Sequence, residues 1–527
     1  MTMIALLAVL ELSAQVSSDI PLVVIETPGS MSIPNEPKVT ARMRIIDHGP
    51  GQLNRDTDPG NVYDGAVGIE IRGSYSASLP QKPFGFETRD AGGENLNVPL
   101  LGLPAENDWI LLANYNDKSF LRNALAGHIF RQMGHYAPRT RHVEVVVNGS
   151  YEGIYVLTEK IKRDKNRVDI ATLNPDENSG DELTGGYIFK NDYYTEADSW
   201  VSAFPPFTRS DRSVYFVFSY PKPDEITEAQ RQYIQAFVFS YEQVLHSAGF
   251  ADPQRGYRAY LDVGSFIDYF ILSEVSRNVD AYKKSRFFYK DKESNGGLLH
   301  SGPPWDYDWA WKDIWDCPIF ANTDGSGWAY QVNQCDVWPT PPVYMTRLQE
   351  DPSFTSAVLQ RYESLRQSCL SDASLNAYID SVTNFLGNAL QRHYARWDIL
   401  GKAVGAPEVG AIPDTFEGEM RKFKAWIHSR LAWLDRNMPG DSSEPLPGDV
   451  PLLRLFPNPA VDLVHVESSE LIDRIELCSL TGQVLLREER VPGRAATLEI
   501  PSLRQGIYLV HVFLNGGGRV SAKLLVE

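Results

Sequence analysis

The sequence predicts an α+β domain followed by a small all-β sandwich, and three observations carry that reading. Strand-like patterning in the first half gives way to helical periodicity from Glu225 onward. A segment rich in Pro, Gly, Ser and acids, "NMPGDSSEPLPGDVP" at Asn437–Pro451, then breaks every apolar period. Beyond it, seven short runs of alternating or β-branched residues are separated by turn signals, the pattern of a small sandwich.

From Ile20 to Glu87 the runs "LVVIET", "KVTARMRII", "VGIEIRG" and "FGFET" read as strands. "DKSFLRNALAGHIFRQMG" reads as a helix, with Asp117 placed to cap its first turn and Gly134 to end its last. "HVEVVVNGSYEGIYVLTEKI" reads as a hairpin around Asn148-Gly149, lengthened by a few loop residues, and "GGYIFK" as another strand. In "ITEAQRQYIQAFVFSYEQVLHSAG", Ile234, Phe237, Val238, Tyr241, Val244 and Leu245 share one helical face. "VGSFIDYFILSEVSR" is apolar all round, so it predicts a more deeply buried helix. Three further helical patterns precede the Pro-rich break. The expected organisation is a main domain over 20–436, a linker at 437–451 and a β module over 452–527.

The chain has 527 residues, 43% hydrophobic and 11% aromatic, enough for a sizeable core. A formal net charge of -18 argues against a general electrostatic field for nucleic acid. No run approaches the roughly 18 apolar residues of a membrane span. The opening "MTMIALLAVLELSAQ" has a short apolar stretch followed by Ser13 and Ala14, as in a secretory signal over 1–15, although it lacks the basic residues usual at the start. The four cysteines contain no CxxC, which disfavours a zinc knuckle. For an exported chain, Cys317 and Cys335 form a natural disulfide around "CPIFANTDGSGWAYQVNQC"; the alternative is two free thiols. Cys369 falls in a helical pattern and Cys478 in a strand pattern, and both read as core residues.

The candidate chemistry lies in "NVDAYKKSRFFYKDKESNGGLLHSGPPWDYDWAW". Asp280 stands at one end of two strand-like runs, with Asp306 and Asp308 at the other. If those runs pair, both ends of the ribbon meet. Residues two apart in an extended segment face the same side. Two carboxylates so placed repel unless a proton or a cation lies between them. Mg²⁺ needs oxygen ligands of this kind. Acids are also common at strand ends, and a bare DxD has little specificity. A second cluster, "GIEIRGSYSASLPQKPFGFE", puts Arg72 and Lys82 around a Ser-rich turn whose N–H groups suit an anion such as phosphate, or a plain polar turn. Of Glu159 and Lys160, adjacent at a strand end, at most one faces a cleft. No GxSxG or HExxH occurs, and the ten histidines show no ligand spacing.

Several blocks together resemble the spore-coat protein H (CotH) kinase family: "VGIEIRGSYSASLPQKPFGFETRD", "LLGLPAENDWILLANYNDKSFLRNALAGHIFRQMG", "YAPRTRHVEVVVNGSYEGIYVLTEKIKRDKNRVDI", "GGYIFKND", "EVSRNVDAYKKSRFFYKDK" and "GPPWDYDWAW". The resemblance implies an atypical bilobal protein-kinase-like domain that uses ATP and Mg²⁺ or Mn²⁺ to phosphorylate a protein substrate. It makes Asp280 the catalytic aspartate, Asp306 the metal-binding aspartate and Asp308 an auxiliary ligand. Arg72, Lys82 and Lys160 then serve as phosphate-side cations. One position departs from the pattern. Ordinary kinases hold a metal with an Asn five residues after the catalytic Asp; Ser285 stands there in this chain and is the third expected metal ligand, its hydroxyl a weaker donor to Mg²⁺ than an amide carbonyl. A non-catalytic surface scaffold on a kinase-like frame is the competing expectation, and a glycan-active enzyme using Asp306 and Asp308 a third. The tail, with "LRLFPNPAVDLVHVE", "TGQVLL", "GIYLVHV" and "SAKLLVE", resembles the C-terminal sorting domain of the type IX secretion system. That implies partnership with the secretion machinery and a secreted or cell-surface location.

Overall fold

The computed structural model describes residues 15–206, 211–440, 453–468, 471–479, 483–489, 493–500, 503–515 and 519–526. The expected signal segment, apart from Gln15, and the expected linker beyond Gly440 lie outside the described residues. Backbone contacts divide the chain into two compact units, Met1–Ser442 and Ser443–Glu527.

The first unit begins with a closed barrel of seven strands: β1 (Leu22–Glu26), β2 (Val39–Ile46), β3 (Tyr63–Ile71), β4 (Phe84–Arg89), β5 (Asp108–Ala113), β6 (Thr140–Val147) and β7 (Ser150–Glu159). Alternate residues, among them Val23, Ile25, Met43, Ile45, Val67, Ile69, Leu111, Val143 and Val145, fill its interior, as the two-residue side-chain period requires. Parallel pairing of Leu22–Ile25 with Glu144–Val147 closes the sheet and removes its edges. The strands themselves are legible in the sequence. Their closure is not, because it joins segments more than a hundred residues apart. The β6–β7 hairpin is tighter than expected. Asn148 (φ 50°) and Gly149 (φ 78°) make a two-residue turn with both backbones left-handed, so no extra loop residues are needed.

Helix α1 (Arg122–Gln132) follows β5. It starts later than its sequence pattern suggests. Asp117 still serves its N-terminus, by accepting from the Arg122 backbone N–H at 3.1 Å, and the Arg122 guanidinium folds back onto the same carboxylate.

The rest of this unit is a five-stranded sheet with helices. In the order β9-β10-β8-β11-β12 its strands are β8 (Tyr187–Asn191), β9 (Ser199–Val201), β10 (Tyr215–Tyr220), β11 (Arg286–Lys290) and β12 (Leu299–Ser301). Helix α2 (Glu228–Leu245) opens with a capping box between Thr227 and Gln230 and buries Ile234, Val238, Tyr241 and Leu245. Helix α3 (Val263–Ser276) is capped by Asp262, and almost every residue from Ser265 on is buried, as its all-round apolar character predicts. Helices α4 (Pro352–Arg366), α5 (Asp372–Leu386), α6 (Ala389–Arg396) and α7 (Phe416–Asn437) complete a core built around α3. Cys317 and Cys335 are disulfide-bonded, with Cα atoms 6.0 Å apart. Cys369 lies half-buried just past the end of α4 rather than within a helix, and Cys478 is buried.

Glu242 on α2 is 3% exposed. It accepts from Ser202 Oγ at 2.8 Å and Tyr344 OH at 3.1 Å. Burial, only partly offset by those hydrogen bonds, pushes its carboxyl up to about 7. The folded value exceeds the unfolded one, about 4.3. This group therefore favours the fold fully below about pH 4, and that contribution is lost as pH rises through 7. Glu242→Gln is expected to raise unfolding free energy at about pH 8 by roughly 2–3 kcal/mol while changing little at about pH 4. Urea denaturation at both values checks this, and an equal effect at the two would contradict it.

The second unit is all β, with strands β13 (Leu453–Phe456), β14 (Leu463–Ser468), β15 (Ile472–Ser479), β16 (Val484–Glu489), β17 (Ala495–Glu499), β18 (Gly506–Leu514) and β19 (Arg519–Val526). They form the sheets β13-β14-β17 and β16-β15-β18-β19. One core, including Val464, Val466, Ile475, Leu477, Val510 and Val512, draws on both. Among the described residues no helix is long and apolar enough to cross a membrane.

Candidate active-site cleft

A cleft of about 680 Å³ opens between the barrel and the five-stranded sheet. The barrel lines it with Glu70 of β3, Arg72 just beyond, Gly85 and Phe86 of β4, Ile110 and Leu112 of β5, and Lys160 after β7. The other side brings Lys190 and Asp192 at the end of β8, the segment 283–287, and the loop carrying Trp305, Asp306, Asp308 and Trp309. Asp280 reaches the same space.

The ribbon formed by β11 and β12 explains the meeting. Phe288, Tyr289 and Lys290 pair with Ser301, His300 and Leu299, and Gly302 N donates to Phe287 O at 2.9 Å. Both open ends therefore converge, and Ser285 Oγ donates to Asp306 Oδ2 at 2.6 Å. Ser285 (φ 52°) and Asp306 (φ 58°) both have left-handed backbones. That conformation is uncommon for non-glycine residues and marks functional loops more often than ordinary ones. It also corrects the extended reading of Asp306–Asp308. The two acids share the cleft because the chain turns there, not because alternate residues of a strand face one way.

Each acid is held differently. Asp308 Oδ2 accepts from the Asn116 amide at 2.5 Å. Burial pushes the Asp308 carboxyl up to about 6, and the charges of Asp306 and Asp280 add to that push against the pull of Asn116 and Lys312. Burial raises the Asp306 carboxyl too, against the pull of Ser285 and Arg72. Asp280, 7% exposed, is gripped by two ammonium groups, Lys284 at 2.9 Å and Lys283 at 3.5 Å. Lys283 also pairs with Asp316 at 2.9 Å.

The cations divide. Arg72 lies over the Trp305 ring at 5.7 Å, and its guanidinium donates no hydrogen bond among the described residues. Burial lowers its pKa, while Asp306, Glu70 and Asp192 pull the other way. Lys160 points into the cleft, half-exposed, 3.5 Å from Asp108 Oδ1, whereas its neighbour Glu159 is buried against Arg139. Lys82 is not among the lining residues. Its ammonium donates to Ala77 O at 2.9 Å and closes the Ser-rich turn.

Several cleft residues carry no assignment from sequence. Lys38 pairs with Glu87 at 2.5 Å and Glu70 at 3.6 Å, and Lys190 with Asp192 at 2.6 Å. Asn123 Oδ1 accepts from Tyr307 N at 2.7 Å. Asp192 ends "GGYIFKND" and Lys284 stands beside Ser285, so both lie in recognisable stretches. Nothing local reveals that Asn116 reaches Asp308. Among the described residues no group of three or more His, Cys, Asp or Glu side chains is arranged to hold a metal ion. Asp306 and Asp308 nevertheless suit Mg²⁺ or Mn²⁺, since such an ion takes one or two carboxylates and completes its shell with water and phosphate. The clustering of Asp306 and Asp280 near Asp308 fits the same donor set.

Fold and cleft thus define a mixed α/β protein with a barrel, a deep cleft of paired acids and cations, and a separate β module. The chain belongs to the CotH kinase protein family, which matches residues 69–434, and its tail matches the secretion system C-terminal sorting domain over residues 454–527. That tail is a type IX sorting domain, and the protein is secreted or displayed at the cell surface. Inner spore coat protein H of Bacillus subtilis (strain 168) is 25% identical over 205 residues, 39% of this chain and 50% of that protein. The chain therefore spans about half the length of this curated relative. The crystal structure of CopC from Methylosinus trichosporium OB3b aligns with 15% of this chain and 93% of its own at 21% identity, with a TM-score of 0.13, and carries no argument about the fold.

Proposed function

We propose that the protein is an exported atypical kinase that transfers phosphate from ATP to hydroxyl groups of a protein substrate, with Mg²⁺ or Mn²⁺. The observation that carries this reading is the convergence of Asp280, Asp306 and Asp308 in one cleft with Arg72, whose guanidinium has no hydrogen-bond acceptor among the described residues. In this reading the barrel and the sheet-and-helix part act as the two lobes of a kinase-like domain over 20–436. A signal at 1–15, a linker at 437–451 and the sorting module at 452–527 serve export through the type IX machinery.

Phosphoryl transfer asks little covalent chemistry of a protein; it asks for positioning and charge. Asp280, held in place by two ammonium groups, is a fixed hydrogen-bond acceptor that orients the attacking hydroxyl. Asp306 and Asp308 would hold the divalent ion, with Ser285 and Asn116 fixing their rotamers. When bound, that ion neutralises charge across the phosphate oxygens. Arg72 and Lys160 grip the phosphate tail. Arg72→Met is expected to weaken binding of a labelled ATP analogue roughly 10- to 100-fold, the worth of a charge-assisted hydrogen bond. An unchanged affinity would remove Arg72 from the site.

The primary test is incorporation of labelled phosphate into casein-like and surface-protein acceptors with Mg²⁺ or Mn²⁺. No incorporation, together with no nucleotide binding, would end the kinase reading. A second reading, a non-catalytic surface scaffold, draws on Ser285, whose hydroxyl is engaged by Asp306 where a kinase carries an amide ligand. It also draws on the location, since ATP is scarce outside the cell. An active kinase there needs a local ATP source or acts before export.

A further inference from the structure

We propose that the ammonium of Lys284 takes the place of a second divalent cation, so that the cleft binds nucleotide with a single metal ion on the Asp306–Asp308 side. The inference rests on the phosphotransfer reading. Lys284 Nζ lies 2.9 Å from Asp280 Oδ2, and its charge also acts on Asp306. The position is built rather than incidental. Lys284 N donates to Asp280 O at 2.9 Å, which fixes the two residues one turn apart. The side chain is 22% exposed and its ammonium lies 5.3 Å from the centre of the Tyr193 ring. Lys283 is shared between Asp280 at 3.5 Å and Asp316 at 2.9 Å, whereas the charge of Lys284 acts on both Asp280 and Asp306.

In protein kinases that bind two ions, the second is held by the Asn five residues after the catalytic Asp. Ser285 stands there, and its left-handed backbone aims the hydroxyl at Asp306 at 2.6 Å. That hydroxyl is engaged by Asp306, and the fixed positive charge of Lys284 sits beside Asp280, where a second ion would otherwise be drawn. Like charges at such range repel strongly in a half-dry cleft. Asp306 and Asp308 remain as a two-carboxylate set for one ion. A covalently attached cation cannot leave with product, so one of the two charges that stabilise transfer is permanent.

The test is a Mn²⁺ titration of the full chain with a non-hydrolysable ATP analogue. Free Mn²⁺ is read by electron paramagnetic resonance, and analogue binding is read calorimetrically on the same samples. Wild type is expected to take up about one analogue-dependent Mn²⁺ per chain, Lys284→Arg about one, and Lys284→Ala about two. About two in wild type, or about one in a folded Lys284→Ala, overturns the inference and leaves the kinase reading standing. Absence of analogue binding to wild type overturns both. The wild-type count decides the matter even where Lys284→Ala fails to fold, and Lys284→Gln supplies a second neutral variant.

Discussion

Asp306→Asn and Asp280→Ala are each expected to cut phosphate incorporation by roughly a thousand-fold, the scale of losing a principal charge-positioning group. The two should fail differently. In the proposed reading Asp306 holds the divalent ion with Asp308, and it lies in electrostatic reach of Arg72. Its loss should therefore weaken nucleotide binding in the presence of Mn²⁺. Asn is the informative replacement, because Asp306 sits at φ 58°, which Asn tolerates and Ala does not. In the proposed reading Asp280 orients the acceptor hydroxyl, and it pairs with Lys283 and Lys284. Its loss should lower kcat while leaving nucleotide affinity within a few-fold. Single-turnover transfer combined with a nucleotide titration separates the two outcomes. Variants as active as wild type would leave the cleft acids without a catalytic role.

Arg430→Ala is expected to be the most damaging single change to stability, costing roughly 3–5 kcal/mol. Arg430 on α7 and Glu274 on α3 are both fully buried and pair at 3.0 Å. The guanidinium also donates to Glu274 O, Gly325 O and Gly327 O, each at 2.7 Å. Glu274 accepts further from Ala329 N at 2.8 Å, Tyr330 N at 2.9 Å and Tyr282 OH at 3.0 Å. Burial lowers Arg430 to about 10 and raises Glu274, so desolvation outweighs the pairing on both partners. The hydrogen bonds to Glu274 from Ala329 N, Tyr330 N and Tyr282 OH, and those from Arg430 to three carbonyls, offset part of that cost. Removing Arg430 strands a carboxylate in the core and takes from the disulfide-closed segment 317–335 its hydrogen bonds to α7 at Gly325 O and Gly327 O. Denaturant unfolding measures the cost. A loss below about 1 kcal/mol would mean that water reaches the site and the network contributes little.

Where the sequence was readable, the information was local. Ile234, Val238, Tyr241 and Leu245 announce α2 by spacing alone, and the Thr227–Gln230 box confirms its start. The seven strands of the tail show in alternation. Lys82 misled because a Lys beside a Ser-rich turn looks the same whether it serves a ligand or closes the turn on Ala77. Asp306 and Asp308 belong together, but for a different reason from the one their spacing suggests, since a left-handed residue breaks the two-residue period. Lys284, which no pattern in the sequence singles out, is clasped by Asp280.

By itself the sequence determined the strand and helix segments, the break before the tail, the export address and the family, because periodicity, turn chemistry and motif are properties of neighbouring residues. Only the tertiary structure decided that the first strands close into a barrel, through Leu22–Ile25 against Glu144–Val147. It alone decided that Asn116 steadies Asp308 from 192 residues away. Such pairings depend on loop closure and on which buried groups must satisfy one another. Those are conditions on the whole chain, and no window of residues contains them.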